Sequence, residues 1–459
     1  MRFGVVGVKI SWFRMPWCLG LALSVGVVLP AAANCVDEDQ VPTSGGATAA
    51  VAPPPEPRLV LQGLVRDALG RSQALGASKL MHEAALLDVD EARAAKALHA
   101  SANADLGPAA SQSGGSTSSS ALHLRGTLSV TKLLYDGGRS DRLTDWRTQL
   151  SESARHGHLS QQEQLALSTV ALALERSRYR QQVQIYGHYV RKMSCLVEAL
   201  SSIVRADRGR ASELVQVKKS MQQAEIAQAL AQSQARQIEV RLRRLVGDGL
   251  PGVEGLGSVL LKVPELPSIE AEVARSSEVA QLAAQAAAMG QYAAAVEAGG
   301  KPQVSWAFGG SKTTAAGGSG GVDQRSGSLS LGLTVNIPLL NPGVAPASEA
   351  ARKRAQAALL QRDEALESRR FRVREVHEQT LSAFDRAARV AAVLRDSEQV
   401  RSFTLQQWQQ LGKRSLFDVM SAEADHYNLR VAWINALYDG QQMNANLLSL
   451  GRGVSEWLR

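Results

Sequence analysis

The chain is poor in aromatic residues: phenylalanine, tyrosine and tryptophan together make up 5% of its 459 positions. Large globular cores lean on such side chains, so their scarcity points to long helices packed through narrow seams. Cysteine is nearly absent, Cys18, Cys35 and Cys195 being the only three. That leaves too few for a disulfide framework or a cysteine-rich metal site. The eight histidines are scattered. His156 and His158 stand two apart and cannot share a helix face, and no His-Glu-x-x-His motif occurs. Neither metal nor cofactor is expected, and no convergent polar residues suggest an enzyme. Gly317-Gly318-Ser319-Gly320-Gly321 lacks the Lys-Ser/Thr of a phosphate loop and reads as a surface loop. The formal charge is +8, yet both signs are interspersed and no basic cluster carries aromatics between its charges. A nucleic-acid partner is excluded on that ground.

Long hydrophobic runs are also missing after the N-terminus. Arg2, Lys9 and Arg14 form a basic n-region, Cys18 to Leu29 an apolar stretch, and Ala31-Ala32-Ala33 a cleavage site, so residues 1–33 read as a secretory signal. Its removal lowers the formal charge to about +5. Asn34 is a poor residue before a lipidated cysteine, which speaks against lipidation of Cys35. No later run approaches ~18 apolar residues, so a membrane crossing would have to be made by β-strands. Residues 34–58 hold Pro42, Pro53-Pro54-Pro55 and Pro57 and read as a disordered leader.

What the chain does have is alternation. Leu329, Leu331, Leu333, Val335 and Ile337 fall on one face, and Ser328, Ser330, Gly332, Thr334 and Asn336 on the other, the period of a strand. A second strand alternates Leu122, Leu124, Leu128 and Val130 with His123, Arg125, Thr127 and Ser129. A third places Val304, Trp306 and Phe308 opposite Gln303, Ser305 and Ala307. Ser101 to Ala110 is a weaker fourth. A tilted strand of about ten residues crosses a bilayer's apolar core.

Between the strands the period is helical. One helix is expected over about Leu59–Ala100, then a long one over Arg139–Ile203, broken at Asp207-Arg208-Gly209-Arg210. The next carries a heptad seam of Leu214, Val217, Met221, Ala224, Gln228, Ala231, Ala235, Ile238, Leu242 and Leu245. Gly247-Asp248-Gly249 ends it. After a linker over 248–267 the order restarts: a helix to Ala298, two strands, and a long helix with a seam of Val373, Val376, Thr380, Phe384, Ala387, Ala391 and Leu394. Gly412 breaks that helix, and a last one runs from Leu416 to Gly451. Gly138, Gly209 and Gly247 thus correspond to Gly343, Gly412 and Gly451. The chain reads as an internal duplication, 59–247 and 268–455.

Four strands cannot close a barrel, and open edges cannot sit in lipid. Three chains would pool twelve, an even number suited to an outer-membrane barrel. Leu329, Leu331, Leu333, Val335, Trp306 and Phe308 would face lipid. Trp306, Phe308 and Tyr135 are candidates for aromatic girdles at both interfaces. A helix of 65–70 residues rises about 100 Å, long enough to continue the lumen as a helical tube.

At three places the chain resembles the TolC-like outer-membrane channel proteins (outer membrane efflux proteins). These are Leu134-Tyr135-Asp136-Gly137-Gly138, Ile337-Pro338-Leu339-Leu340-Asn341-Pro342-Gly343, and Gly412-Lys413-Arg414-Ser415-Leu416-Phe417-Asp418-Val419 with its continuation to Gly451. The resemblance implies a homotrimer in outer-membrane lipid, with a 12-stranded β-barrel continued by a periplasmic α-helical barrel. It implies a periplasmic adaptor (membrane fusion) protein docked on the hairpin tips, around Gly209, Arg210, Gly412 and Lys413. An inner-membrane ABC or RND pump would feed the duct. It also implies a periplasmic gate. Asp418 matches the family's gate aspartate, Ser421 stands where a second aspartate is found in the family, and Arg414 matches an arginine that holds the closed tip. The acidic partner of that arginine is missing at Val215, with Glu213 a possible substitute. The doubtful lipidation of Cys35 tilts the reading toward type I protein secretion, with the outer-membrane part of a tripartite efflux pump as the alternative. A soluble periplasmic coiled-coil adaptor or structural protein is the reading from a different class. The duplication and the four one-sided strands count against it.

Overall fold

A computed structural model describes residues 56–111, 119–252, 255–316, 324–411 and 413–459. The signal segment, nearly all of the leader, the loop Gly317–Gly321 and Gly412 lie outside the described residues. Nine α-helices and four strands are present among those described. In chain order they are α1 Pro57–Arg71, α2 Gln73–Ala94, β1 Leu98–Ser111, β2 Ser119–Tyr135, α3 Arg139–Ala206 and α4 Ala211–Val246, then α5 Leu266–Val273, α6 Ser277–Ala298, β3 Gln303–Ala316, β4 Gln324–Asn336, α7 Val344–Leu411, α8 Leu416–Leu450 and α9 Val454–Leu458.

The two halves match in length as well as order. Helices α2 and α6 have 22 residues each, α3 and α7 have 68 each, and α4 and α8 have 36 and 35. A helix of 68 residues rises about 100 Å. Helix α2 is capped by Ser72, whose hydroxyl accepts from Leu75 N at 3.2 Å. Ser276 holds the corresponding N-cap of α6. The helix expected over Leu59–Ala100 is therefore two helices, because a side chain that satisfies a free N–H at Ser72 starts a new helix there. Strand β1 also begins earlier than Ser101. Its outward positions are mostly alanine, so alternation in the sequence understates its extent.

The junctions between strand and helix reuse one device. The Asp136 carboxylate accepts from Gly138 N at 3.1 Å, and the Asn341 side-chain oxygen accepts from Gly343 N at 3.2 Å. In the first half Gly137 and Gly138 have φ of +68° and +85°, angles that glycine adopts without steric cost. A Cβ on Gly137 would also lie 2.6 Å from that of Lys301.

The helices form a layer one helix thick. Near the sheet the order is α2–α3–α6–α7; toward the far end it is α4–α3–α8–α7. The α4 seam is buried as its heptad requires, with Val217, Ala224, Ala231, Ala235, Ile238 and Leu242 inside. Val373, Val376, Thr380 and Ala387 do the same on α7. Midway along, α1, α9 and the segment joining the halves pack on the helices, through Leu61, Leu64, Val65, Leu256, Leu260, Val454 and Leu458. Gln441 and Asn444 of α8 donate to the carbonyls of Gly257 and Leu260 at 2.7 and 2.8 Å and hold that segment down. Helix α9, past Gly451, was not signalled by the sequence. No described helix is long and apolar enough to cross a membrane.

Candidate functional site

The strands form one antiparallel sheet in the order β1-β2-β3-β4. The register sorts its residues into rows that run across all four strands. One face carries Leu98–Lys132–Trp306–Leu333, then Ala100–Val130–Phe308–Leu331, then Ala102–Leu128–Gly310–Leu329. Leu329, Leu331, Leu333 and Val335 are 77%, 68%, 66% and 57% exposed, so this wall of apolar side chains meets no part of its own chain. Trp306 and Phe308 sit in it, half-buried between their cross-strand neighbours.

Tyr135 joins the same face opposite Val304, after a register shift between Leu133 and Tyr135. All three aromatics therefore lie at the end of the sheet nearest the helices. The expectation of girdles at both interfaces is corrected: among the described residues the distal rim of this face has no aromatic. The opposite face is small and polar. Ser101 and Ser129 share a hydrogen bond of 2.7 Å across β1 and β2, and Ser311 and Ser328 one of 2.8 Å across β3 and β4. Asp105 and Arg125 face each other there in one row.

Every level of the molecule has two open edges. In the sheet they are β1 and β4, with unpaired backbone groups along both. Among the helices, α2 exposes Leu80, Met81 and Leu87, α4 exposes Ile226, Leu230 and Val240, and α7 exposes Leu360, Val393, Val400 and Phe403.

At the end farthest from the sheet, α3 and α4 are joined by a 3-10 turn over Arg208–Arg210. The Asp207 carboxylate accepts from Gly209 N at 2.9 Å, and Gly209 and Arg210 are exposed. In the second hairpin the exposed Lys413 donates its backbone N–H to Gln407 O at 3.2 Å. Arg414 donates to the Gln407 side chain at 3.2 Å. It thus reaches its own hairpin rather than the first half. Glu213, the substitute partner considered from the sequence, keeps a buried carboxylate oxygen without a hydrogen bond.

Asp418 begins α8 in a capping box. Its carboxylate accepts from Ser415 N and Oγ, both at 3.0 Å, while Ser415 Oγ accepts from Asp418 N at 3.2 Å. These bonds hold the carboxyl below its ordinary value of 3.8, with Arg414 adding a smaller pull. The carboxylate is exposed and charged, and Ser421, one turn on, is exposed too. Behind them the two hairpins meet in an apolar cluster of Met193, Leu196, Leu200, Val217, Leu416, Val419 and Met420, with Trp408 at its edge.

No family model matches the chain, and no curated protein matches it in sequence. Solved structures do. A membrane protein from Pseudomonas aeruginosa is 18% identical, with a TM-score of 0.76 over 85% of this chain and 93% of that one. The outer membrane protein VceC from Vibrio cholerae is 17% identical, with a TM-score of 0.70 over 86% and 96%. The MtrE outer membrane channel of Neisseria gonorrhoeae, in its open state, is 17% identical, with a TM-score of 0.69 over 87% and 90%. The chain has the TolC-like fold.

One feature of this TolC-like chain was not singled out from the sequence. Glu423, fully buried on α8, lies 3.7 Å from Lys192 Nζ of α3 and 3.5 Å from Arg401 Nη1 of α7. Arg401 also meets Glu398 at 2.5 Å, and His426 Nε2 lies 3.2 Å from the same carboxylate. Burial and the carboxylates of Glu423 and Asp425 push the Tyr189 phenol beside them up to about 12. The only trace in the sequence is a Glu and a His three apart on an otherwise apolar helix face. Tyr427 and Tyr438, on the same helix, are buried at 3% and 0% exposure. No group of metal ligands occurs among the described residues.

Proposed function

We propose that the chain is one third of an outer-membrane exit duct. The observation that carries this reading is the pair of open edges at the sheet and at both helical levels. An unpaired β-edge beside an exposed apolar wall is unstable in water and in lipid alike. Copies of the same chain satisfy both needs by pairing β4 of one with β1 of the next and α7 with α2 and α4. Four strands from each of three chains give a barrel of twelve, within the range of outer-membrane barrels. The apolar wall then faces lipid and the serine-rich face lines a wide aqueous lumen. The solved channels named above support this arrangement by their fold.

In this reading the helical layers close into a periplasmic tube about 100 Å long. Its tips, with Gly209, Arg210, Gly412 and Lys413, receive a periplasmic adaptor that links the duct to an inner-membrane pump. Three copies of Asp418 ring the narrow end and Arg414 helps to keep it shut. Type I protein secretion, toward which the sequence leaned, gains no specific support from the solved structures. The export duct of a tripartite efflux pump is the reading they favour.

Single-channel conductance of the purified mature protein in a planar bilayer tests the proposal. A small, cation-preferring, mostly closed conductance from a trimeric preparation is expected. A protein that stays monomeric and water-soluble refutes the barrel and restores the periplasmic coiled-coil reading.

A further inference from the structure

On β3 and β4 the apolar wall ends at two cations, Lys312 and Arg325, while on β1 and β2 it runs on through Leu106, Leu124 and Leu122. Counting rows up from Val304, Lys312 is eight residues along β3, and Thr314, which faces Arg325, is ten. At ~3.3 Å per residue and a tilt of ~40°, these rows stand about 20 and 25 Å above the helix-proximal row. An outer-membrane barrel has an apolar band about 25 Å tall, so both cations sit at its distal rim. They are diagonal neighbours on adjacent strands, on the outward face, and both are exposed. No carboxylate shares that face among the described residues. The nearest acid along the chain, Asp323, lies outside them.

The row of Lys312 is otherwise bare: Ala104, Gly126 and Gly327 are its cross-strand companions. Neither glycine is required by its backbone or its surroundings. Their φ angles are ordinary, a Cβ on Gly126 would meet nothing within 4 Å, and one on Gly327 would make only an ordinary contact at 3.7 Å. Glycine in a strand often marks the close approach of another molecule. Here it leaves a groove of 420 Å³ lined by Lys312, Arg325, Gly327 and Leu329 among others. Leu329 and Leu128 continue below it as an apolar track. A cationic head over an apolar track, on the face turned to the bilayer, matches a lipid with an anionic phosphate headgroup better than a free anion.

We propose that Lys312 and Arg325 form a site for the phosphate headgroup of an anionic lipid at the distal rim of the barrel. The proposal rests on the barrel reading. The test is native mass spectrometry of the full-length protein in detergent, with phosphatidylglycerol and phosphatidylcholine of the same acyl chains. Phosphatidylglycerol is expected to be retained in preference. The double variant Lys312→Ser/Arg325→Ser should weaken its retention about thirtyfold, about fivefold for each cation. Gly327→Ile, which fills the groove and keeps both charges, should weaken it as well. Lys132→Ser, near the opposite edge of the wall, should leave it unchanged. Equal retention by the double variant overturns the site, as does an equal loss with Lys132→Ser. Displacement of the lipid by inorganic phosphate at matched concentration would make it a free-anion site instead. The same preparations are assayed for conductance. A conducting protein without lipid preference removes the site and keeps the duct, whereas a protein that never inserts removes both.

Discussion

Asp136 should matter far more than its counterpart Asn341, although both make the same turn between strand and helix. Asp136 is 4% exposed. Its carboxylate accepts from Gly138 N at 3.1 Å, from Ser140 N at 2.7 Å and from the Ser140 hydroxyl. Asn341 is exposed and its side chain accepts one bond, from Gly343 N. Loss of an N-terminal cap costs about 1–2 kcal/mol, and each buried donor left without a partner adds about 1 kcal/mol or more. Asp136→Ala should therefore cost about 2–3 kcal/mol, and Asn341→Ala about 0.5 kcal/mol. For a long chain that corresponds to a loss of about 5 °C in Tm against 1 °C, followed by circular dichroism of the helices.

The pH dependence separates the two further. Burial alone would raise the Asp136 carboxyl, but the bonds from Ser140 and Gly138 outweigh it, and the group lies below its ordinary 3.8. A carboxyl depressed by folding contributes stability that is fully present above its unfolded value and is lost as pH falls through its folded value. The gap between wild type and Asp136→Ala should thus be constant at neutral pH and shrink below about pH 4. The gap for Asn341→Ala should not move. Equal costs at pH 7, or an Asp136 gap that persists in acid, would refute the assignment of charge and burial as the cause.

Three further outcomes bear on the tip and the seam. Asp418→Ala should reduce cation preference and block by multivalent cations in planar bilayers; unchanged permeation would remove Asp418 from the gate. Because its carboxyl is held low by Ser415, the preference of the wild type should persist to about pH 4 and fade only in stronger acid. Arg414→Ser should raise the open conductance, and Gln407→Ala should do the same, since Gln407 is the described partner of that guanidinium; a channel as tightly closed as before counts against the latch. Gly440→Ala should destabilise the α7–α8 pair by about 1–3 kcal/mol, because its Cβ would lie 2.8 Å from the Phe384 ring. Adding Phe384→Leu should restore much of the loss in a urea titration.

The legible parts of the fold were those with strict periodicity. The α4 and α7 seams could be read because each step of three or four residues lands on a buried or half-buried side chain, and β4 because its outward leucines never skip. Strand β1 was faint because the alanines on its side of the apolar wall carry little hydrophobic contrast. The break at Ser72 was hidden because serine also occurs inside helices, and its capping role exists only once Leu75 N is free to be bound. The tip was legible as a pattern but not as a set of contacts. Asp418 and Arg414 were found by resemblance, yet their partners Ser415 and Gln407 depend on how one hairpin folds on itself.

The buried charges around Glu423 were the least accessible, and the reason bears on how the layers move. Lys192, Arg401 and Glu423 come from three helices, and their grouping depends on helix rotation to within a fraction of a turn. A charged group buried in this way is strongly disfavoured unless its partners stay within reach. Helices α3, α7 and α8 are therefore tied together a short way behind the tip, where Glu423 follows Asp418 by little more than one turn. Apolar seams permit small slides at modest cost, but an ion network does not, because each lost partner strands a charge. Any widening of the tip that separates α8 from α3 must either break these contacts or pivot about them. A pivot leaves the Glu423 level fixed and moves Ser415 to Asp418 most. In the duct proposed above, that would put the variable radius at the capping box itself.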